Sequence, residues 1–458
     1  MLVMISDLHL TDGTTGETIN AGAFKVFRER LRDLAYDASW RADGTYQPIG
    51  SMDVILLGDV FDHIFTTRWN EAQAGAKPWH NPHSDAFIKK FHDINQAILQ
   101  HNTEAFTILK SLNDGKTITI PPATREHKPA DVSRKPDDSA RQPVEVRLHY
   151  LIGNHDWYFH LPGQTYNQIR QEVIDALGLV NTPDPFPHDL SPEIEDIYRR
   201  HNVFARHGDI YDPLNYDEEK GRLACTLGDA LVVELFARFP QEISRQTGDE
   251  LPAAFTNGLR ELANVTPSIL VPTWIAGLMH QAGLNQNQQK KARAIWNELA
   301  DQFLDLDFVR SQDTYNPFET VDALQKAVRF SKGIHIQYLS NIATWIQRQF
   351  WGGAVSFADY ALQEPAIKNQ TARAVVYGHT HFHEVIPLSA TPASTGTRFD
   401  QMFINSGTWH TIHRLAKRDP DAGEFVSYKV MTYLAFYQGD ERGGRAFETW
   451  SGTLDHRW

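Results

Sequence analysis

Cysteine is nearly missing: Cys225 is the only one in 458 residues, so no intramolecular disulfide framework can form. That thiol is read as buried or incidental. Long apolar runs are missing too. No stretch of about 18 apolar residues occurs, which speaks against a membrane span. The opening MLVMISDLHL offers only five residues before a polar segment, too few for the core of a secretion signal, and a cytoplasmic protein is the expectation. Basic charge is in deficit: 44 Lys and Arg face 57 Asp and Glu, a formal net charge of −13. Nonspecific grip on a phosphate backbone needs Lys and Arg clusters, so nucleic acid is not the favoured partner, although a local metal site could offset the field in a nuclease. What is present is ordinary for a soluble globular chain: 41% hydrophobic, 22% charged and 11% aromatic residues. The length allows a sizeable core, in two or three domains or in one large domain with insertions.

Short runs rich in Val, Ile and Leu read as buried strands: LVMIS at 2–6, DVILLG at 53–58, LHYLIG at 148–153, NVFARHG at 202–208, RAVVYGH at 373–379 and QMFINSG at 401–407. Helical stretches lie between them, which is the pattern of an α/β protein. FVSYKVMTYLAFY at 425–437 has no intervening helix and suggests antiparallel strands at a sheet edge. Two regions interrupt the alternation. Phe87, Phe91, Ile94 and Ile98, continuing to Ile108 and Leu112, form one helical face with Ser84 as N-cap. The Pro-rich, charged segment PPATREHKPADVSRKPDDSARQP that follows reads as a mobile loop. The larger interruption, from about Pro213 to about Asn369, has helical spacing in LGDALVVELFARF, KKARAIWNELADQFLDLDFV and SNIATWIQRQFW, with Leu339, Ile342, Ile346 and Phe350 as one stripe. It reads as an inserted helical subdomain, and its position suggests a cap.

Five of the apolar strands end alike. They deliver Asp7-Leu8-His9, Gly58-Asp59-Val60-Phe61-Asp62, Gly153-Asn154-His155-Asp156, His207 with Asp209 and Asp212, and His379-Thr380-His381. In open α/β sheets that edge is where ligands bind. Residues i and i+2 of an extended chain project to the same side, so Asp7 and His9 can reach one ion, as can His379 and His381. Carboxylate, amide oxygen and imidazole together suit borderline divalent ions such as Mn²⁺, Fe²⁺ or Zn²⁺, and the absence of thiolates argues against a structural zinc site. Seven donors (Asp7, His9, Asp59, Asn154, His207, His379, His381) exceed the need of one ion; two adjacent ions sharing a carboxylate is the economical arrangement.

This ordered series resembles the calcineurin-like metallophosphoesterases over roughly residues 1–67, 145–212 and 371–458, without the two insertions. The resemblance implies a four-layer sandwich, two packed mixed β-sheets flanked by helices, here with a large inserted helical cap. The catalytic domain would be 1–212 and 371–458, carrying a helix and loop inserted at about 68–146, and the cap 213–370. By the same resemblance Asp7, His9, Asp59 and His381 would hold one ion, and Asp59, Asn154, His207 and His379 the other, with Asp59 bridging and water between the ions as nucleophile. His155 would stabilise the transition state or protonate the leaving oxygen, with Asp156 holding its ring; Asp62 would support the neighbouring shell. Asn405 and Ser406 are read as structural, and so are His160, His383, His410 and His413.

Asp156 and Gly208-Asp209 stand where the protein phosphatases of this superfamily carry Glu and Gly-Gly. The SDLHL opening, the HGD element and the helical insertion look more like the UDP-diacylglucosamine pyrophosphatases, which commonly have Arg in place of His155 and a far shorter lid. Repair nucleases of the superfamily share Gly-Asn-His-Asp, but their recognition domain follows Gly-His-x-His, where this chain has only 77 residues (458 − 381). The expectation is a cytoplasmic hydrolase with two divalent ions, Mn²⁺ foremost, acting on a phosphodiester or pyrophosphate of nucleotide or nucleotide-sugar type. The alternatives are a DNA nuclease of the recombination-repair type and a non-catalytic metal-binding scaffold. Oligomeric state is left open.

Overall fold

The computed structural model describes the chain except residues 17–18, 72–74, 131–139, 267, 313–319, 333–355, 391–398, 417, 419–422 and 456–458. In chain order the strands are β1 (Leu2–Ile5), β2 (Ser51–Leu57), β3 (Thr119–Ile120), β4 (Gln142–Pro143), β5 (Glu145–Leu151), β6 (Val203–Ala205), β7 (Ala374–Tyr377), β8 (Glu384–Ser389), β9 (Gln401–Asn405), β10 (Thr411–Leu415), β11 (Phe425–Phe436) and β12 (Phe447–Asp455). The larger sheet runs β10-β11-β1-β2-β5, with β12 on β11; a smaller one runs β6-β7-β9-β8. Both are mixed. β1, β2 and β5 are parallel, as are β6, β7 and β9, while β11 and β8 run against their neighbours.

The two-residue alternation of each strand decides what its faces bury. Leu2 and Met4 of β1, Ile55 and Leu57 of β2, and Leu434 and Phe436 of β11 share one apolar cluster with Ala205, Ala374, Val376 and Ile404 of the smaller sheet. Val3, Ile5, Val54 and Leu56 face the other way. They pack on Phe24, Phe27 and Leu31 of α1 (Ala21–Ala38), Phe91 and Ile94 of α2 (Asp85–His101), Phe106 and Leu109 of α3 (Thr103–Ser111), and Ile169 and Val173 of α4 (Gln164–Leu177). The far face of the smaller sheet, with Val375, Tyr377 and Phe403, is covered by Phe357, Ala358 and Ala361 of the short helix Phe357–Ala361. The architecture is thus α/β, with mixed sheets flanked by helices.

Two local expectations need amendment. The segment 425–437 is one long strand rather than several, and it is interior: β11 pairs with β12 on one side and with β1 and β10 on the other. No turn residue interrupts it, so nothing reverses the chain. The helical face from Phe87 to Leu112 is split at Asn102, whose side-chain amide donates to the Ile98 and Thr11 carbonyls at 2.9 and 2.8 Å and ends α2. Ser84 does cap that helix, accepting from Phe87 N at 3.3 Å. In the Pro-rich segment Ala130 N donates to Pro122 O at 2.9 Å, and Tyr46 N to His127 O at 2.8 Å. Residues 131–139 of it lie outside the described residues.

Within the long insertion, helices including Arg238–Thr247, Val271–Gln281 and Gln286–Asp305 bury Phe239, Ile243, Ile275, Trp296, Leu299 and Phe303 in a cluster of their own, joined by Phe65. The stripe Leu339, Ile342, Ile346 and Phe350 lies outside the described residues. Among the described residues no helix is long and apolar enough to cross a membrane.

Candidate metal centre

Five parallel strand ends meet at one edge. Asp7 and His9 follow β1, Asp59 follows β2, Asn154 and His155 follow β5, His207 follows β6, and His379 and His381 follow β7. The chain must bend sharply there to turn side chains into a common space. Five of the nine non-glycine residues with positive φ among those described are Asp7, His9, Asp59, His379 and His381. Such conformations cost about 1–3 kcal/mol each and persist only where the surroundings enforce them. Close approach makes the same demand at two glycines. A Cβ on Gly153 would stand 2.3 Å from Asp59 Oδ1, and one on Gly378 2.5 Å from Asp7 Oδ2.

Backbone amides orient the carboxylates. His155 N donates to Asp59 Oδ1 at 2.8 Å, which leaves Oδ2 3.0 Å from His207 Nε2 and 3.7 Å from His9 Nε2. His379 N donates to Asp7 Oδ1 at 3.0 Å, and that oxygen lies 3.4 Å from His381 Nε2 and 3.9 Å from His9 Nε2. Ser6 Oγ donates to the other Asp7 oxygen.

The imidazoles are oriented from behind. An acceptor on one ring nitrogen fixes the proton there and leaves a lone pair on the other. His207 Nδ1 donates to Leu57 O at 3.0 Å, His9 Nδ1 to Asp62 Oδ2 at 3.1 Å, and His379 Nε2 to Asp212 Oδ2 at 3.1 Å. The remaining nitrogens therefore face electron-rich neighbours. His9 Nε2 is 2.9 Å from His381 Nε2, His379 Nδ1 is 3.0 Å from Asn154 Oδ1, and His207 Nε2 is buried 3.0 Å from Asp59 Oδ2. Lone pairs aimed at one another across a buried space are the chemistry of a cation site. Three overlapping groups have ligand atoms within 4.8 Å of one another: Asp7–His9–His381, His9–Asp59–His155 and Asp59–His207–His379.

The buried acids and imidazoles also shift one another strongly. Burial alone would raise the Asp59 carboxyl, but His207, His155 and His9 hold it well below the usual range. Burial, reinforced by Asp59, raises Asp7. Against burial, Asp59 and Asp7 keep His207 up at about 9. Burial together with His9 and His410 pushes His381 well below the ordinary histidine value.

All eight metal or proton-transfer candidates after the strand ends are thus brought together, and Asp156 is not one of the group that faces this space. It was expected to hold the His155 ring. That contact belongs to Asp62, whose Oδ1 lies 2.9 Å from His155 Nδ1. Asp156 instead points into the buried interior, where it accepts from Gly153 N at 2.6 Å, Val60 N at 2.9 Å and Tyr150 Oη at 2.7 Å. These donors, one in its own loop, one in the loop after β2 and one on β5, hold its carboxylate away from the His155 ring. Asp62 and Asp59 override burial and raise His155 to about 10.

Other histidines divide clearly. His410 lies against the site, its ring 5.7 Å from that of His9, and burial and the His9 charge press it down to about 3. His383 and His160 are tied to the Asn405 and Phe186 carbonyls, and His413 stacks on Trp274 of the insertion. The partner of His379, Asp212, could have been suspected from its place five residues after His207, since a 3-10 turn over Asp209–Tyr211 folds it back. Comparison of the chain with protein-family models and with curated proteins gave no match.

Proposed function

We propose that this chain is a dinuclear metal-dependent phosphohydrolase, with the two-sheet framework as the four-layer sandwich of the metallophosphoesterases and the helical insertion as its cap. One observation carries the reading: Asp59 Oδ2 stands between His9 and His207, at 3.7 and 3.0 Å, so one carboxylate serves two adjoining donor groups. Asp7, His9 and His381 would complete one ion's set, and Asn154, His207 and His379 the other's. The oxygen-and-nitrogen donor set suits Mn²⁺ first, then Fe²⁺ or Zn²⁺. Bound there, two divalent ions would supply Lewis acidity, neutralising phosphoryl oxygens and acidifying water.

The chain's own groups do the rest. Asp62 fixes the His155 ring through Nδ1, so Nε2 faces the space in front of Asp59 and can hold a proton there. Water attacks phosphorus in line with the leaving oxygen; the P–O bond breaks, the departing oxygen takes the His155 proton, and the proton released by the attacking water passes to solvent. The preference for diesters and pyrophosphates rests on this proton donor and on an insertion large enough to grip a second substituent.

The test is turnover of bis-p-nitrophenyl phosphate against p-nitrophenyl phosphate by Mn²⁺-loaded protein, with Asp59→Asn as control and metal content measured alongside. Two ions per chain with diester turnover lost in the variant is the expected result. Preference for the monoester would overturn the diester assignment, and absence of bound metal would leave a scaffold.

A further inference from the structure

β9 delivers no candidate ligand, yet the turn that follows it, Asn405-Ser406-Gly407-Thr408, touches two strand ends that do. Asn405, Ser406 and Thr408 are each at most 1% exposed. Asn405 Nδ2 donates to Gly378 O at 2.8 Å and to Thr380 Oγ1 at 3.0 Å, and so holds the bend that presents His379 and His381. Thr408 Oγ1 donates to Asp7 O at 2.6 Å, on a residue whose φ of 52° persists only where its surroundings enforce it.

The contact made by Ser406 can be followed proton by proton. A hydroxyl has one proton to give. Ser6 Oγ gives its proton to Asp7 Oδ2 and stands 2.6 Å from Ser406 Oγ, so in that pair Ser406 is the donor. The Tyr377 carbonyl, 3.1 Å from the same hydroxyl, is already served by Ser406 N at 2.8 Å. The chain from Ser406 through Ser6 to Asp7 thus runs one way, and it joins the end of β9 in the smaller sheet to the end of β1 in the larger. Without the Ser406 hydroxyl, the Ser6 proton has a competing acceptor in Gly407 O at 3.3 Å. Asp7 Oδ2 would then be left to His379 N at 3.2 Å, and Oδ1, the oxygen beside His381 and His9, would lose its fixed direction. The other donor set is oriented elsewhere: Asp59 by His155 N, His207 by Leu57 O and His379 by Asp212.

We propose that Ser406 and Thr408 are positioning residues for one half of the centre. By holding Asp7 they set the affinity of the Asp7–His9–His381 ion, and they leave that of the Asn154–His207–His379 ion alone. The inference rests on the dinuclear reading above and adds to it that one ion depends on a strand which supplies no ligand.

The experiment titrates metal-free full-length protein with Mn²⁺ by calorimetry and reads Tm alongside. The wild type is expected to take up two ions. Ser406→Ala and Thr408→Val should each weaken one of them about tenfold or more and leave the other within about twofold. Thr408→Ser, which keeps the hydroxyl, should bind both as the wild type does. His381→Ala identifies the ion concerned: it should weaken the same one, and Ser406→Ala added to it should not change the other further. Should Thr408→Val fail to fold, Ser406→Ala decides alone. Equal weakening of both ions with a lowered Tm would make the turn a general support, and the proposal falls. Two ions bound by the variants with unaltered affinities overturns it as well. Fewer than two ions in the wild type defeats the dinuclear reading itself, and this inference with it.

Discussion

Asp62 adjoins His155 in space and Asp156 adjoins it in sequence, and the two have different work. Asp62 accepts from both His9 and His155, at 3.1 and 2.9 Å, and so orients one candidate ligand and the proposed proton donor together. Asp156 accepts three hydrogen bonds, from Gly153, Val60 and Tyr150, and is fully buried. The two roles separate by mutation. His155→Ala should cost about 10²–10⁴ in kcat while metal content is retained. Asp62→Asn should lower activity by about 10–100-fold. Asp156→Asn puts an amide where two backbone N–H groups and a hydroxyl donate, and should cost about 1–3 kcal/mol of stability, read as a lowered Tm, with a smaller effect on turnover than Asp62→Asn. The reverse order of effects would reinstate Asp156 as the ring's partner. From sequence, Asp156 was the natural choice because it adjoins His155; the side-chain direction that decides against it depends on donors from Val60, 96 positions away, and from Tyr150 on β5.

At the scale of elements, the strand ends were legible because their signal is local. An apolar run such as LHYLIG followed by Asn154 and His155 carries both the buried strand and its polar terminus in eight residues. What joins them was less legible. The break at Asn102 depends on a bond to the Thr11 carbonyl, a residue 91 positions away, and the interior place of β11 depends on partners at both chain ends. Glycine at the strand ends is where element geometry and chemistry coincide. Gly153→Ala would drive a methyl group to 2.3 Å from Asp59 Oδ1, and Gly378→Ala one to 2.5 Å from Asp7 Oδ2. Both variants should fold, with unchanged far-ultraviolet circular dichroism, yet bind fewer metal ions per chain by atomic absorption. Gly50→Ala, where a Cβ meets nothing within 4 Å, should bind as the wild type does. Equal stoichiometry in all three would show that the close approach at the strand ends is irrelevant to metal.

For the whole molecule, the question is how the helical insertion and the strand-end cluster depend on each other. Helical spacing made the insertion visible in the sequence, but its attachment involves residues that no periodicity marks. Phe65, three residues after Asp62, packs into the insertion's apolar cluster. Thr15 Oγ1 donates to the Phe65 carbonyl at 2.5 Å, Gly16 N donates to Arg260 O at 2.8 Å, and Thr266 N to His413 O at 3.1 Å. The loops that carry His9 and Asp59 are therefore clamped on their outer side by the insertion. Asp7, Asp59 and Asp62 crowd three buried carboxylates into the same region, an arrangement that a bound cation relieves. Metal at 100 times its dissociation constant adds about 2.7 kcal/mol to folding, which in a chain of this size corresponds to a Tm rise of roughly a few degrees. Chelation by EDTA should thus lower Tm, and Asp59→Asn should abolish the difference. Because the clamp joins the two regions, Trp274 and Trp296 of the insertion and Trp409 against α1 should report one shared transition, with and without metal. Two separate transitions, of which only the scaffold's moved on chelation, would mean that the insertion folds independently of the loops it touches.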